Sequence, residues 1–142
     1  MLISTKGRYA LRVMVDLAEH QAAGRIPLKE IADRQGVSEK YLENILATLV
    51  RAGLLSGMRG KGGGYRLTRD PDKYTAGEIL RLTEGSLAPV SCLEGGNNGC
   101  ERAGECRTIG MWRELDEMIS NYLDGITVAD LVAKPMEYDF VI

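Results

Sequence analysis

Apolar positions divide the chain into helical stretches separated by glycine-bearing breaks. Tyr9, Ala10, Val13, Met14, Leu17 and Ala18 recur at three- and four-residue spacing, which predicts a helix from a Ser4 or Thr5 cap to about Gln21. Ala23-Gly24-Arg25 breaks it. Leu28 to Ala32 begins a second helix with Ile31 and Ala32 inward, and Gly36-Val37-Ser38 turns the chain. Glu39 to Ala52 then forms a third helix, capped by Ser38, with Leu42, Ile45, Leu46 and Leu49 on one face. Leu54 to Arg59 and Tyr65 to Thr68 read as two short strands joined through Gly60, Gly62, Gly63 and Gly64. Asp70-Pro71-Asp72 ends the hairpin, and Thr75 caps a fourth helix built on Ile79, Leu80 and Leu82 that stops at Glu84-Gly85. A long polar gap follows. Ile109, Trp112, Leu115, Ile119, Tyr122 and Leu123 then make a stripe along a long helix ended by Gly125, and Thr127 caps a last short helix before Pro135.

This order predicts a mainly α fold: a winged helix-turn-helix with a two-stranded wing plus a long C-terminal dimerisation helix. Residues 1–85 form the winged unit, 86–107 a cysteine-containing loop, and 108–142 the long helix and tail. A helix of this kind must bury its apolar stripe. A symmetric partner helix is the economical solution, because most oligomers are two-fold dimers, and packing on its own domain is the alternative.

The second and third helices with their hairpin point to DNA. The first turns of a recognition helix face base edges in the major groove, and here they carry Ser38, Lys40, Tyr41, Glu43 and Asn44. Asn pairs with adenine, and a carboxylate accepts from cytosine. Arg59, Lys61, Arg66 and Arg69 surround the hairpin tip, where cations suit a narrow minor groove or its phosphates. Lys6, Arg8 and Arg12 either stand on a solvated face or reach a phosphate. A Walker nucleotide loop is excluded, because Leu55 and Gly62 stand where it needs Gly and Ser or Thr. His20, the only histidine, reads as a surface residue at a helix end.

Composition changes the picture in one respect. The 142 residues carry a net charge of −2, but residues 1–70 hold 12 Lys/Arg against 7 Asp/Glu, and residues 71–142 hold 6 against 13. A basic first half fits a polyanion, and an acidic second half is repelled by one. No stretch approaches the roughly 20 apolar residues of a membrane span, and the start lacks the apolar run of a signal peptide. A cytoplasmic chain with no membrane partner is expected, in which cysteines serve as thiols or metal ligands rather than structural disulfides.

Cys92, Cys100 and Cys106 are separated by seven and five intervening residues in a loop with little apolar material. Soft thiolates there could wrap an iron–sulfur centre or zinc, and reversible oxidation as a redox sensor is the competing chemistry. The spacing is not the tight Cys-x-x-Cys of zinc fingers. No acid/base constellation accompanies the loop, so an enzyme is not expected.

Several segments together resemble a known family: Ser4-Thr5-Lys6-Gly7-Arg8-Tyr9-Ala10, Tyr41-Leu42-Glu43, Arg59-Gly60 with Gly63-Gly64-Tyr65, and Ala76-Gly77-Glu78-Ile79. With the cysteine loop and long helix they are similar to the IscR-type regulators and their relatives, the CymR-type cysteine-metabolism repressors and the nitric-oxide-sensing repressors. The resemblance implies a homodimeric winged-helix regulator, a repressor in iron–sulfur or sulfur metabolism that reads a pseudo-palindromic double-stranded operator. It also implies a 2Fe-2S or 4Fe-4S cluster on Cys92, Cys100 and Cys106, with Glu43 and Arg59 among the DNA-reading positions.

Two departures stand out. IscR-type members carry a histidine ligand three residues after the last cysteine, where this chain has Ile109. The nitric-oxide sensors use an acidic residue near the start of the first helix, where this chain has Arg8. The fourth ligand then falls to Glu94, Glu101, Glu105, solvent or a small thiol, and such a cluster would be labile. The opening and the tail Tyr138-Asp139-Phe140-Val141-Ile142 resemble the CymR subgroup, which generally lacks the loop cysteines. That subgroup works with cysteine synthase, which implies Ile142 as a docking end.

Overall fold

The computed structural model describes residues 2–96 and 104–134. It contains helices α1 (Thr5–Glu19), α2 (Leu28–Gln35) and α3 (Glu39–Arg51), strands β1 (Leu55–Met58) and β2 (Gly64–Leu67), then α4 (Ala76–Glu84), α5 (Ile109–Asp124) and α6 (Val128–Ala133). The mainly α winged helix-turn-helix expected from the sequence is the observed architecture. Cys100, Glu101, Pro135 and the tail through Ile142 lie outside the described residues.

Local chemistry sets most boundaries. The Ser4 hydroxyl accepts from the Gly7 amide and caps α1. That helix stops at Glu19, short of Gln21, because His20 is its C-cap and Gln21–Ala23 tightens into a 3-10 turn. Gly36, at φ 67°, closes α2 in the left-handed region and turns the chain toward α3. Ser38 caps α3 by accepting from the Tyr41 amide, 3.1 Å away.

The core forms where the inner faces of these helices meet. Ala10, Val13, Met14 and Leu17 of α1 pack with Ile31 of α2 and with Leu42, Ile45, Leu46 and Leu49 of α3. Asp16 is the buried charge of this unit, at 4% exposure. Its carboxylate accepts from Arg34 Nη2 at 2.7 Å and Nε at 2.9 Å, and from Gln35 Nε2 at 2.9 Å. The end of α2 is thereby bound to α1 just before the turn. Burial alone would raise the Asp16 pKa, but the hydrogen bonds and charge of its partners outweigh it and hold the carboxyl below its usual range. His20 is half-exposed at the α1 terminus, as a surface histidine should be, with Nδ1 2.8 Å from the Asp16 carbonyl oxygen.

The hairpin pairs Leu55 with Leu67, Ser56 with Arg66, Gly57 with Tyr65 and Met58 with Gly64. A third segment supports it: Ile26 and Tyr65 exchange two backbone hydrogen bonds of 2.8 Å each. Gly64, at φ 137°, makes this approach possible, because a Cβ there would run into the Ile26 carbonyl. Tyr74, which the apolar pattern did not single out, is fully buried. Its hydroxyl donates to the Leu54 carbonyl at 2.8 Å and accepts from the Thr68 and Arg69 amides at 2.9 Å.

The C-terminal elements return to this unit. Asp124 of α5 accepts from Arg81 of α4 at 2.6 and 3.0 Å. After α5 the chain bridges back, with Ala76 N–H donating to Ile126 and Val128 N–H donating to Tyr74. Val128 is fully buried within the α1–α3 core. The expected α5 stripe is split by the fold. Ile109 is buried, and Trp112, Ile119 and Leu123 are half-buried. Met111, Leu115, Met118 and Tyr122 form a second apolar face that is exposed in the protomer. Between α4 and α5, Ser91–Gly96 makes a 3-10 turn where a plain loop was expected.

Candidate nucleic-acid interface and cysteine loop

Capping by Ser38 aims the first turns of α3 outward, and Lys40, Glu43 and Asn44 are exposed there. Ser38 itself is exposed, with its hydroxyl engaged by the Tyr41 amide. Tyr41 is half-buried and packs edge-on against Tyr9, with centroids 6.0 Å apart. Tyr9 in turn lies under the Arg12 guanidinium, 4.5 Å from its ring centre. Arg12 also donates to the Gln35 side chain and carbonyl, so it joins α1 to α2. Lys6 lies against α3, with Nζ 3.2 Å from Thr48 Oγ1, and Arg8 donates to the Thr5 hydroxyl on its own helix.

A groove of about 300 Å³ separates α3 from the hairpin and is lined by Glu43, Ala47, Val50, Arg51, Met58 and Arg59, among others. The hairpin tip carries Arg59 and Lys61, both exposed, on a turn closed by Gly63 N–H donating to the Gly60 carbonyl. Arg66 is exposed on β2. Arg69 is not part of the tip. It donates to Glu78 at 2.8 Å and covers the Tyr74 ring, because its position past β2 turns it back toward α4. Arg51 and Met58 also wall the groove, and neither was expected there from the sequence. Arg51 follows Glu43 and Ala47 at four-residue intervals, a signal that would have found it; Met58 became visible only once β1 had a position beside α3.

The cysteine loop is described at both ends. Cys92 is half-buried on the 3-10 turn, and Cys106 sits just before α5. A hydrogen bond with the Thr108 hydroxyl, Sγ to Oγ1 at 3.3 Å, is the main influence holding the Cys106 thiol below its ordinary pKa; backbone amides at the start of α5 add to it. Such a thiol is predisposed to the anionic form a soft metal takes, so this end of the loop suits a thiolate-held centre. Ile109, where a histidine ligand would stand, is apolar and 8% exposed, and offers no donor. Glu94 and Glu105 are exposed. Among the described residues no three His, Cys, Asp or Glu side chains converge on one point. No described helix is long and apolar enough to cross a membrane.

Comparison with known proteins agrees with this geometry. Residues 3–134 match the Rrf2 family, described as iron-dependent transcriptional regulator. The HTH-type transcriptional regulator IscR of Aliivibrio salmonicida is 40% identical over 93% of this chain and 77% of its own length. CymR, titled the global cysteine regulator of B. subtilis, superposes with a TM-score of 0.79 at 38% identity, covering 96% of this chain and 99% of that one. T. potens IscR superposes at 0.74 and 37% identity, covering 97% and 95%. These similarities, which span nearly the whole chain, place it in the Rrf2 family of DNA-binding transcriptional regulators, which are not enzymes.

Proposed function

We propose that the chain acts as a homodimeric repressor whose affinity for a pseudo-palindromic operator is set by an iron–sulfur cluster on Cys92, Cys100 and Cys106. Residues 1–85 read the DNA, residues 86–107 hold the sensing centre, and residues 108–142 supply the dimer helix and tail. The juxtaposition of α3 and the basic wing across one groove carries the reading. Lys40, Glu43 and Asn44 address base edges in the major groove, Ser38 and Tyr41 set the pitch of α3, and Arg59 and Lys61 enter the neighbouring minor groove or contact its phosphates. The exposed apolar face of α5 supplies the second protomer.

When bound, the cluster contributes a redox-sensitive and iron-sensitive link between the two ends of the loop. Cys106 would couple such a centre to α5: it is three residues from Ile109, the first residue of the helix, and Arg81–Asp124 joins the far end of α5 to α4. With Ile109 unable to ligate, a centre held by the three cysteines would keep an exchangeable fourth position and would be labile, which suits a sensor of iron, oxygen or nitric oxide. Anaerobic purification is expected to give a brown protein with about one cluster per chain, and Cys92→Ala to abolish the colour. Absorption and electron paramagnetic resonance spectra check it; a chain that stays colourless and iron-free after reconstitution would sink the proposal.

A second reading is favoured by the superposition on CymR and by Ile109 itself. In it the chain is a cluster-free, thiol-responsive or corepressor-dependent repressor of cysteine metabolism that docks cysteine synthase through Ile142. Deleting Val141 and Ile142 should then abolish a complex that the full chain forms in a titration with that enzyme; retained binding removes the tail as the docking element.

A further inference from the structure

The recognition helix carries a second cluster on the flank that faces α1. Lys6, in the first turn of α1, places Nζ 3.2 Å from Thr48 Oγ1. Arg51, at the end of α3, places Nη2 3.5 Å from the same oxygen. Thr48 accepts from both but, unlike an anion, neutralises neither. It is a neutral hydroxyl, and it also lies 3.3 Å from the Asn44 carbonyl as a donor. Two cations drawn to one uncharged oxygen repel each other, and the pair becomes favourable when an anion shares the site.

Three arginines elsewhere in the fold are differently disposed. Arg34 is paired with Asp16, Arg69 with Glu78 and Arg81 with Asp124. Among the described residues neither Lys6 nor Arg51 makes an ion pair with a carboxylate. Glu43 shares the groove with Arg51 and is likewise without a cationic partner among the described residues, so it does not neutralise the cluster. Arg51 also lines the groove between α3 and the hairpin, together with Arg59, so through this residue the cluster adjoins the surface assigned to DNA.

We propose that Lys6, Thr48 and Arg51 form a clamp for one DNA backbone phosphate on the flank of α3 away from the wing tip. The clamp rests on the DNA-reading assignment above and adds a fixed point to it. Phosphate contacts set register without reading sequence, and one held jointly by α1 and α3 would fix the angle at which Lys40, Glu43 and Asn44 meet the bases. Arg51 supplies a planar donor fork and Lys6 a compact charge.

The test uses the full chain and two short duplexes, one selected from a random library by the wild type and one a scrambled copy of it. Binding is followed by fluorescence anisotropy across a salt series for Lys6→Ala, Arg51→Ala, the double variant, and Lys73→Ala as a charge-matched control on an exposed site. The double variant is expected to bind both duplexes roughly tenfold more weakly, and its log–log salt slope to fall by about one per bound protomer. The Lys73 control should keep the wild-type slope. A fall of about two means that the cations serve separate phosphates, and overturns the clamp. So does a loss confined to the selected duplex, or a change no larger than that of the control. Should Lys6→Ala disturb α1, Lys6→Gln removes the charge while retaining a donor to Thr48 and carries the same comparison. A wild type that enriches no duplex from the library and binds none by anisotropy overturns the DNA assignment itself, an outcome separate from unchanged binding by the variants.

Discussion

Replacing Leu115 and Met118 by glutamate is expected to leave the chain monomeric and to lower its affinity for a two-half-site duplex by about 10²–10⁴-fold, the avidity a linked second site confers. The reason lies on the outer face of α5. Met111, Leu115, Met118 and Tyr122 are 55, 37, 62 and 68% exposed in the protomer, at successive spacings of four, three and four residues. That is the seam spacing of a two-helix contact, and it is the face assigned above to the proposed dimer. Two glutamates would put charge at its centre beside Glu114 and Glu117, so closing the seam would bury carboxylates against their like. Sedimentation measures the oligomeric state, and anisotropy compares one-half-site with two-half-site duplexes. Affinity for a single half-site should change little, because α3 and the wing lie elsewhere. A double variant that remains dimeric would remove α5 from the interface.

The second large effect concerns Asp16. Asp16→Ala is expected to destabilise the chain by about 3 kcal/mol, the low end for breaking a buried pair, because Arg34 keeps some access to solvent. For a chain of this size that corresponds to a fall in Tm of about 10 °C. The loss falls on the joint between α1 and α2, so α3 should lose its fixed position and operator affinity should drop with stability. The pH dependence has a defined sign. Burial raises the carboxyl pKa, but Arg34, Gln35 and His20 lower it further, so the folded value lies below the ordinary 3.8. The stabilisation is therefore complete above pH 3.8 and is lost as pH falls through the depressed folded value. Thermal unfolding of wild type and variant should differ most near neutrality and converge in acid. A gap that stays constant through the acid range would assign the effect to packing rather than to the ion pair.

The site was legible to differing degrees. Ser38, Lys40, Glu43 and Asn44 could be placed from the cap and the helical period, since both act within one or two turns of backbone. Tyr41 has the same spacing but folds onto Tyr9, a contact between residues far apart in the chain. Arg59 and Lys61 stand at the wing tip as expected, whereas Arg69 leaves it for Glu78, nine residues on. The pairing of a cation depends on which carboxylate the fold brings near, and charge along the chain does not carry that information.

By itself the sequence determined the elements and their order. Caps at Ser4, Ser38, Thr75 and Thr127 and the apolar period of α3 act over a few residues, as does the left-handed glycine Gly36, so backbone sterics and local hydrogen bonds suffice to specify them. Only the tertiary structure decided that Ile26 joins the wing, that Val128 enters the core of the first three helices, that α5 turns Met111 and Met118 outward, and that Lys6 and Arg51 meet at Thr48. Each of these joins positions that only packing brings together, or depends on which face of a helix its neighbours leave uncovered. The hydrophobic effect that drives such packing is non-directional, so its outcome depends on every face at once.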